Sequence, residues 1–393
     1  MKTTYQRKVS PVERLYTVIA ETDPPFCNTM IVEGTGAIDL SLWEKAVAAA
    51  SEANPGSRLV YKGRWLWAKW VDSGVAPPIR FVDGSKWSGY EPDGASFLYD
   101  PFPFMTSHTC EVLMVNGGPP RIVFRTLHAI MDGTGTLMWV QDIFRALRKE
   151  PLVGTPSTIT DDKFVAGLNL PKEKPVRRKK CLTPTGLPDG AAPGFTWKRR
   201  TLEGKYSRLL PQMALATAKE ARKHGQGNVM IVVPHDFRRR VQDPGTTANL
   251  SRRFFVDIPP DATIDSISQE LKEKLDHLTG DPGFATLFVS IPRSWLKSLA
   301  ISTREKDRQR GFYKDSGTLS NGGKLPIELL HGGGFVTKKF FFLPPLMETK
   351  PVFLSTVGYG NTLEVVAAMP RVLANNGRLE RYLDNIIAEL KAS

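Results

Sequence analysis

Apolar positions change their spacing several times along this chain, and each spacing names an element. Leu42, Trp43, Ala46, Val47 and Ala50 recur every three or four residues, the interval of one helix face. Ser41 and Glu44 make a capping-box pattern at its start, and Asn54-Pro55 stops it. Trp65, Trp67 and Trp70 follow in a short aromatic segment that reads as strand, its rings spent on packing. EVLMVN and RIVFRTLH flank Gly117-Gly118-Pro119-Pro120 and read as two strands with a tight connection, His128 ending the second. From about Gly135 the spacing is helical again, through Leu137, Val140, Phe144 and Leu147. Residues 229–233 and 254–258 read as strands; Ile264, Ile267, Leu271, Leu275 and Leu278 fall on one helix face. Leu379, Tyr382, Leu383, Ile386, Ile387 and Leu390 make an amphipathic terminal helix. Strands and helices are interspersed throughout, which predicts a mixed α/β fold.

Composition adds limits. The 393 residues are enough for two domains, and 41% hydrophobic with 24% charged is a globular mixture. No apolar run approaches the roughly 18–20 residues of a membrane span, and the N-terminus lacks the apolar core of a signal peptide. Cys27, Cys110 and Cys181 lie far apart with no C-x-x-C, which fits a reducing, cytoplasmic setting, and six scattered histidines predict no metal site. Of the net charge of +13, more than half falls in residues 171–200, where nine Lys/Arg face only Glu173 and Asp189. With five prolines and no periodicity, that stretch reads as an extended linker. The expected organisation is therefore a half at 1–170, a basic linker at 171–200 and a second half at 201–393. Such a charge cluster can attract nucleic acid, an acidic carrier protein or a phosphate-bearing cofactor, or simply keep a linker solvated.

The segment with chemical content is Leu127-His128-Ala129-Ile130-Met131-Asp132-Gly133, where a strand gives way to a helix. A histidine leaving a strand into a tight loop can be held rigidly with its ring facing a cavity. Its unperturbed pKa near 6.5 lets it accept a proton at neutral pH. Asp132 can order the turn or pair with a cation, and Gly133 is expected to supply a backbone conformation that other residues resist. Alone, H-x-x-x-D-G is short enough to arise by chance, and a strand-end histidine can be purely structural.

The surrounding sequence resembles the condensation and chloramphenicol-acetyltransferase-like acyltransferase superfamily, which includes free-standing condensation domains, alcohol acetyltransferases and polyketide-associated acyltransferases. Beside the H-x-x-x-D-G segment, Asn54-Pro55-Gly56-Ser57-Arg58 resembles a degraded H-P-x-L-R after the family's first helix. The stretch from Val233-Pro234-His235 through Arg238, followed by Asn249-Leu250, resembles its strand, arginine and N-L segment. Leu319-Ser320-Asn321-Gly322 resembles the S-N-x-G loop of the alcohol-acetyltransferase branch. These matches keep the family's order over nearly the whole chain. Leu127 stands where many members carry a first histidine, and the plant-type D-F-G-W-G is absent.

The resemblance implies two chloramphenicol-acetyltransferase-like halves forming a V-shaped pseudo-dimer, with a tunnel between them and His128 at its middle. An acyl thioester, as acyl-CoA or on a phosphopantetheinyl carrier protein, would meet an alcohol or amine there. His128 would be the general base, Asp132 a structural partner of Arg238 (Arg239 being adjacent), and Ser320 and Asn321 polar groups lining the site. A monomer without a permanently bound cofactor is the expected state. The degraded motif and Leu127 motivate a second reading, a non-catalytic scaffold for a carrier protein or acyl chain; a basic nucleic-acid binder is a third. His331-Gly332-Gly333-Gly334 resembles a lipase oxyanion loop but lacks G-x-S-x-G, so it reads as a glycine-rich loop. Gly133-Thr134-Gly135 completes no phosphate-binding motif. Arg238-Arg239-Arg240 comes with no nucleic-acid-binding motif.

Overall fold

The computed structural model describes residues 5–171, 179–240, 244–277 and 290–392. The first half holds strands β1 Gln6–Lys8, β2 Cys27–Thr35, β3 Leu59–Lys62, β4 Lys69–Asp72, β5 Ile79–Val82, β6 Cys110–Val115 and β7 Arg121–Leu127. Its helices are α1 Pro11–Thr22, α2 Leu40–Ala53, α3 Gly133–Leu147 and α4 Asp161–Gly167. The second half holds β8 Phe195–Glu203, β9 Met230–Asp236, β10 Ser251–Asp257, β11 Gly317–Lys324, β12 Val336–Leu343, β13 Phe353–Tyr359 and β14 Thr362–Pro370. Its helices are α5 Leu209–Arg222, α6 Ile264–Asp276, α7 Arg293–Gln309, α8 Arg371–Ala374 and α9 Arg378–Lys391. The fold is mixed α/β, as the interspersed periodicities predict.

The described residues form three sheets, in the orders β12–β2–β7–β6–β5, β10–β9–β11–β13–β14–β8 and β1–β4–β3. Every residue of β6 and β7 is buried, so apolar side chains fall on both faces instead of alternating, and the charged Glu111, Arg121 and Arg125 are buried as ion pairs. The strand β12 comes from the second half but pairs antiparallel with β2 of the first, Phe340 opposite Val32. Ile31, Val123 and Phe341 of that sheet pack with Trp197, Val366 and Ala368 of the six-stranded one, so one apolar layer joins the two. Ions are buried there too. Arg121 and Arg199 both pair with Glu33, and Arg199 reaches on to Glu364 at 2.8 Å.

Several local expectations change. The α2 cap is Asp39, accepting from the Leu42 amide at 3.2 Å, because the helix begins one residue before Ser41. A complete capping box lies instead at α1, between Ser10 and Glu13. Of the tryptophan segment, residues 65–67 form a single 3₁₀ turn and only Trp70 lies in a strand; Trp70 is buried, whereas Trp67 is 79% exposed. The end of the stretch read as linker, residues 195–200, is strand β8, with Trp197 and Arg199 fully buried against the neighbouring sheet. Residues 172–178 of that stretch, and Leu278 of the α6 face, lie outside the described residues.

Candidate active site

Strand β7 ends at Leu127, opposite Cys27 of β2, and the chain turns at once. Leu127 points into the core and is fully buried, so the missing first histidine removes no group from the turn's open side. His128 follows with its ring between two aromatic side chains, stacked on Phe26 (centroids 5.1 Å apart, 27°) and tilted against Tyr16 at 5.2 Å. Its backbone amide donates to the Phe26 carbonyl at 3.3 Å. Nδ1 lies 3.1 Å from the Met131 carbonyl. A carbonyl can only accept, so this shorter contact puts the hydrogen on Nδ1 and the lone pair on Nε2, with Asn249 Nδ2 farther off at 3.4 Å from Nδ1. Burial pushes the imidazole pKa below 6.5, opposed by the Met131 bond and the Asp132 charge. Part of the residue still reaches solvent. A neutral ring with its lone pair on Nε2 is the form that can take up a proton.

The turn is braced from beneath. The Met131 carbonyl also accepts from Asn28 Nδ2 at 2.8 Å, and the Ile130 carbonyl from Arg7 Nη2 at 3.3 Å. Arg7 is buried and paired with Glu13, whose carboxylate also takes the Ser10 amide at 2.9 Å and Trp70 Nε1 at 3.2 Å. Burial raises the Glu13 carboxyl to about 7 despite Arg7 beside it.

Asp132 caps α3, its Oδ1 accepting from the Gly135 amide at 2.8 Å. The same carboxylate receives Arg238 Nη1 at 2.8 and 3.1 Å and the Leu250 amide at 2.8 Å. Arg238 is held in turn by Asp236 at 3.0 Å and by the Thr246 and Ala248 carbonyls. Burial pulls the guanidinium pKa down, and the Asp132 and Asp236 charges more than reverse it. The expected pair of Asp132 and Arg238 is thus a buried ion pair across the two halves. Asn249 adds a second clasp, its Nδ2 donating to the His128 carbonyl at 3.1 Å.

Two expectations fare differently. Gly133 needs no unusual backbone: it is the exposed first residue of α3, and a Cβ there would meet nothing within 4 Å. The glycine demanded by packing is Gly135, where a Cβ would lie 2.1 Å from the Thr247 carbonyl oxygen. Ser320 and Asn321 lie in strand β11, not in a loop, beside a register shift between Asn321 and Lys324. Asn321 Oδ1 accepts from the Gly323 amide at 2.9 Å and Thr356 Oγ1 at 3.3 Å, and neither residue bonds to His128, Asp132 or Arg238. Asn249 was legible as part of the N-L pattern but not as a contact of His128, since only the folded chain brings residues 121 apart together. His331-Gly332-Gly333-Gly334 is a turn closed by a bridge between Gly332 and Phe335.

A cavity of about 320 Å³ opens where the halves meet, lined by Thr22, Asp23 and Pro24 at the end of α1, Tyr99, residues 193–195, Arg304, Glu348 and Arg371. It lies two residues along the chain from Phe26 but does not include His128. Among the described residues no group of three or more His, Cys, Asp or Glu is placed to hold a metal, and no helix is long and apolar enough to cross a membrane.

Solved structures share this fold. No family model and no curated protein matches the sequence. The condensation domain from the Monacolin K polyketide synthase MokA matches at 11% identity and TM-score 0.65, covering 99% of this chain and 97% of that one. A mutant starter condensation domain of rhizomide synthetase RzmA, in complex with C8-CoA and Leu-SNAC, matches at 14% and 0.67, covering 100% and 95%. Polyketide synthase associated protein 5 from Mycobacterium tuberculosis matches at 14% and 0.64, covering 98% and 96%. At these identities the likeness is one of fold: this chain has the fold of the condensation domains it matches.

Proposed function

We propose that the chain transfers an acyl group from a phosphopantetheine-type thioester to an alcohol or amine, with His128 as general base. The observation that carries this reading is the hydrogen bonding of the imidazole, with Nδ1 tied to the Met131 carbonyl and no hydrogen bond from Nε2 to a described residue. The acceptor hydroxyl or amine gives its proton to Nε2 as its heteroatom attacks the thioester carbonyl carbon. The tetrahedral adduct then expels the thiolate, which takes the proton back from the imidazolium. Nothing is consumed beyond the two substrates. General-base catalysis of this kind contributes about 10²–10⁴-fold, and holding both reactants in place contributes more. Asp132 and Arg238 act as positioning residues, since they fix the loop without a hydrogen bond to the ring.

The complex of a same-fold domain with C8-CoA supports acyl-CoA as the first donor to try, with acyl-carrier thioesters beside it. Ser320 and Asn321 stay as candidates for the polar lining, because the Ser320 hydroxyl and the Asn321 amide nitrogen have no hydrogen bond to a described residue. The test is thiol release and product mass from a panel of acyl-CoA and acyl-carrier thioesters with mixed alcohols and amines. Turnover by the wild type that falls at least about 10²-fold in folded His128→Ala is the expected result. Unchanged turnover in that variant overturns the base assignment. A wild type inert across a broad panel favours the scaffold reading, and mass spectrometry of bound acyl or pantetheine species would then identify its cargo.

A further inference from the structure

The small sheet β1–β4–β3 buries Arg7, Trp70 and Tyr61 on one face and turns lysines outward on the other. Lys8 stands directly opposite Lys69, and Lys69 directly opposite Lys62, so three exposed ammonium groups form a row across three strands. Like charges facing each other across strands destabilise a sheet. Among the described residues no carboxylate lies in ion-pair contact with any of the three, and the row's one hydrogen bond is Lys69 Nζ to Gln6 Oε1 at 3.5 Å. Arg64, in the connection between β3 and β4, is a fourth exposed cation without an acidic partner there.

The same connection carries Leu66, 46% exposed, and Trp67, 79% exposed. It is not slack. Buried Arg14 donates from Nη2 to the Leu66 carbonyl at 2.9 Å and places its guanidinium 5.8 Å from the centre of the Trp65 ring. The Trp67 amide donates to the Arg64 carbonyl at 2.8 Å. A buried arginine thus braces an outward Leu-Trp tip beside an uncompensated row of cations. Indole rings favour the headgroup level of a bilayer, and lysines near them gain from anionic headgroups. Single-stranded nucleic acid would instead call for a charged groove along which bases stack, and a hairpin tip with a leucine at its apex is not one.

We propose that the β3–β4 tip docks on an anionic lipid bilayer, Leu66 and Trp67 entering the headgroup boundary while Lys8, Lys62, Arg64 and Lys69 face the phosphates. This stands independently of the acyl-transfer reading. The test is co-flotation of the full chain with phosphatidylcholine vesicles, with and without phosphatidylserine. Binding is expected only with phosphatidylserine and is expected to weaken with salt. Each basic residue at such a surface is worth about fivefold, so Lys8→Gln with Lys62→Gln and Lys69→Gln should lower partitioning about 10²-fold. Leu66→Ser with Trp67→Ser should also release the protein. Two controls should bind like the wild type to within about fivefold: Trp295→Ser, which alters an equally outward indole (71% exposed), and Lys205→Gln with Lys272→Gln and Lys391→Gln, which removes the same charge from exposed sites on the second half. All of these side chains point outward, so thermal melts should match the wild type. Equal loss in both lysine triples, wild-type binding by the Leu66/Trp67 variant, or no binding to phosphatidylserine vesicles overturns the proposal. Binding to a single-stranded oligonucleotide but not to vesicles overturns it in favour of nucleic acid.

Discussion

Burial keeps the His128 imidazole neutral, and this has two consequences with the same sign. Its folded-state pKa lies below 6.5, so as pH falls the ring stays neutral past the point where a free histidine would be half protonated. The acid limb of kcat/KM should therefore have its midpoint below pH 6.5; a midpoint above it would speak against His128 as the titrating base. Between the folded value and 6.5 the unfolded chain holds the proton and the folded chain does not. Stability should thus fall as pH is lowered through that window, and His128→Ala should flatten the slope seen in urea titrations at stepped pH. The ion pair behind the ring makes a separate prediction. Arg238→Met leaves Asp132 buried without its cation and should cost about 3–5 kcal/mol. Asp132→Asn keeps an acceptor for the Gly135 or Leu250 amide and leaves Arg238 with Asp236, so it should cost less, about 1–3 kcal/mol. Asp132→Ala, lacking every acceptor, should lose stability and activity together. Denaturant midpoints would rank the three, and a wild-type midpoint with full activity for Asp132→Ala would refute the assignment.

Among the elements, the turn into α3 separates two glycines that look alike in sequence. Gly135→Ala would drive a Cβ into the Thr247 carbonyl, so the second half's 244–250 segment would have to move off α3. A loss of about 1–3 kcal/mol is expected, with weaker turnover, because that segment also carries Asn249 and Leu250. Gly133→Ala meets open space and should fold as the wild type does; a reversed order in thermal melts would contradict this packing. The contrast marks what sequence can convey. The β6–β7 hairpin, the histidine turn and the amphipathic α2 and α9 were readable because spacing along the chain determines them. Which glycine matters was not, since Thr247 is 112 residues from Gly135 in sequence and only folding brings them together. The α2 cap slipped for a more ordinary reason: Asp39 and Ser41 are both good caps, and two residues decide between them.

Across the whole molecule the two large sheets are tied by Arg199, which sits between Glu33 of one and Glu364 of the other and lies 3.7 Å from the Phe341 ring centre. Arg199→Met leaves Glu364 without its cation in a buried layer, whereas Glu33 keeps Arg121. A loss of about 3–5 kcal/mol is expected, read as a lower calorimetric Tm. Nothing in the sequence announced this network, because Arg199 lay in a stretch whose prolines and cations look like connecting chain. The mixed class was legible from the interspersed periodicities, and the pairing of Asp132 with Arg238 from resemblance. The destination of β12 was not, since an apolar strand carries no label for the sheet it will join.

That strand has a bearing on how such a chain can be recombined. Residues 336–343 are inherited with the second half but complete the first half's sheet beside β2. A chimera made by joining residues 1–170 to another protein's second half would import a foreign edge strand into its own sheet. Such a chimera is expected to fold only where donor and host agree on that strand's register and on the phenylalanines it presents.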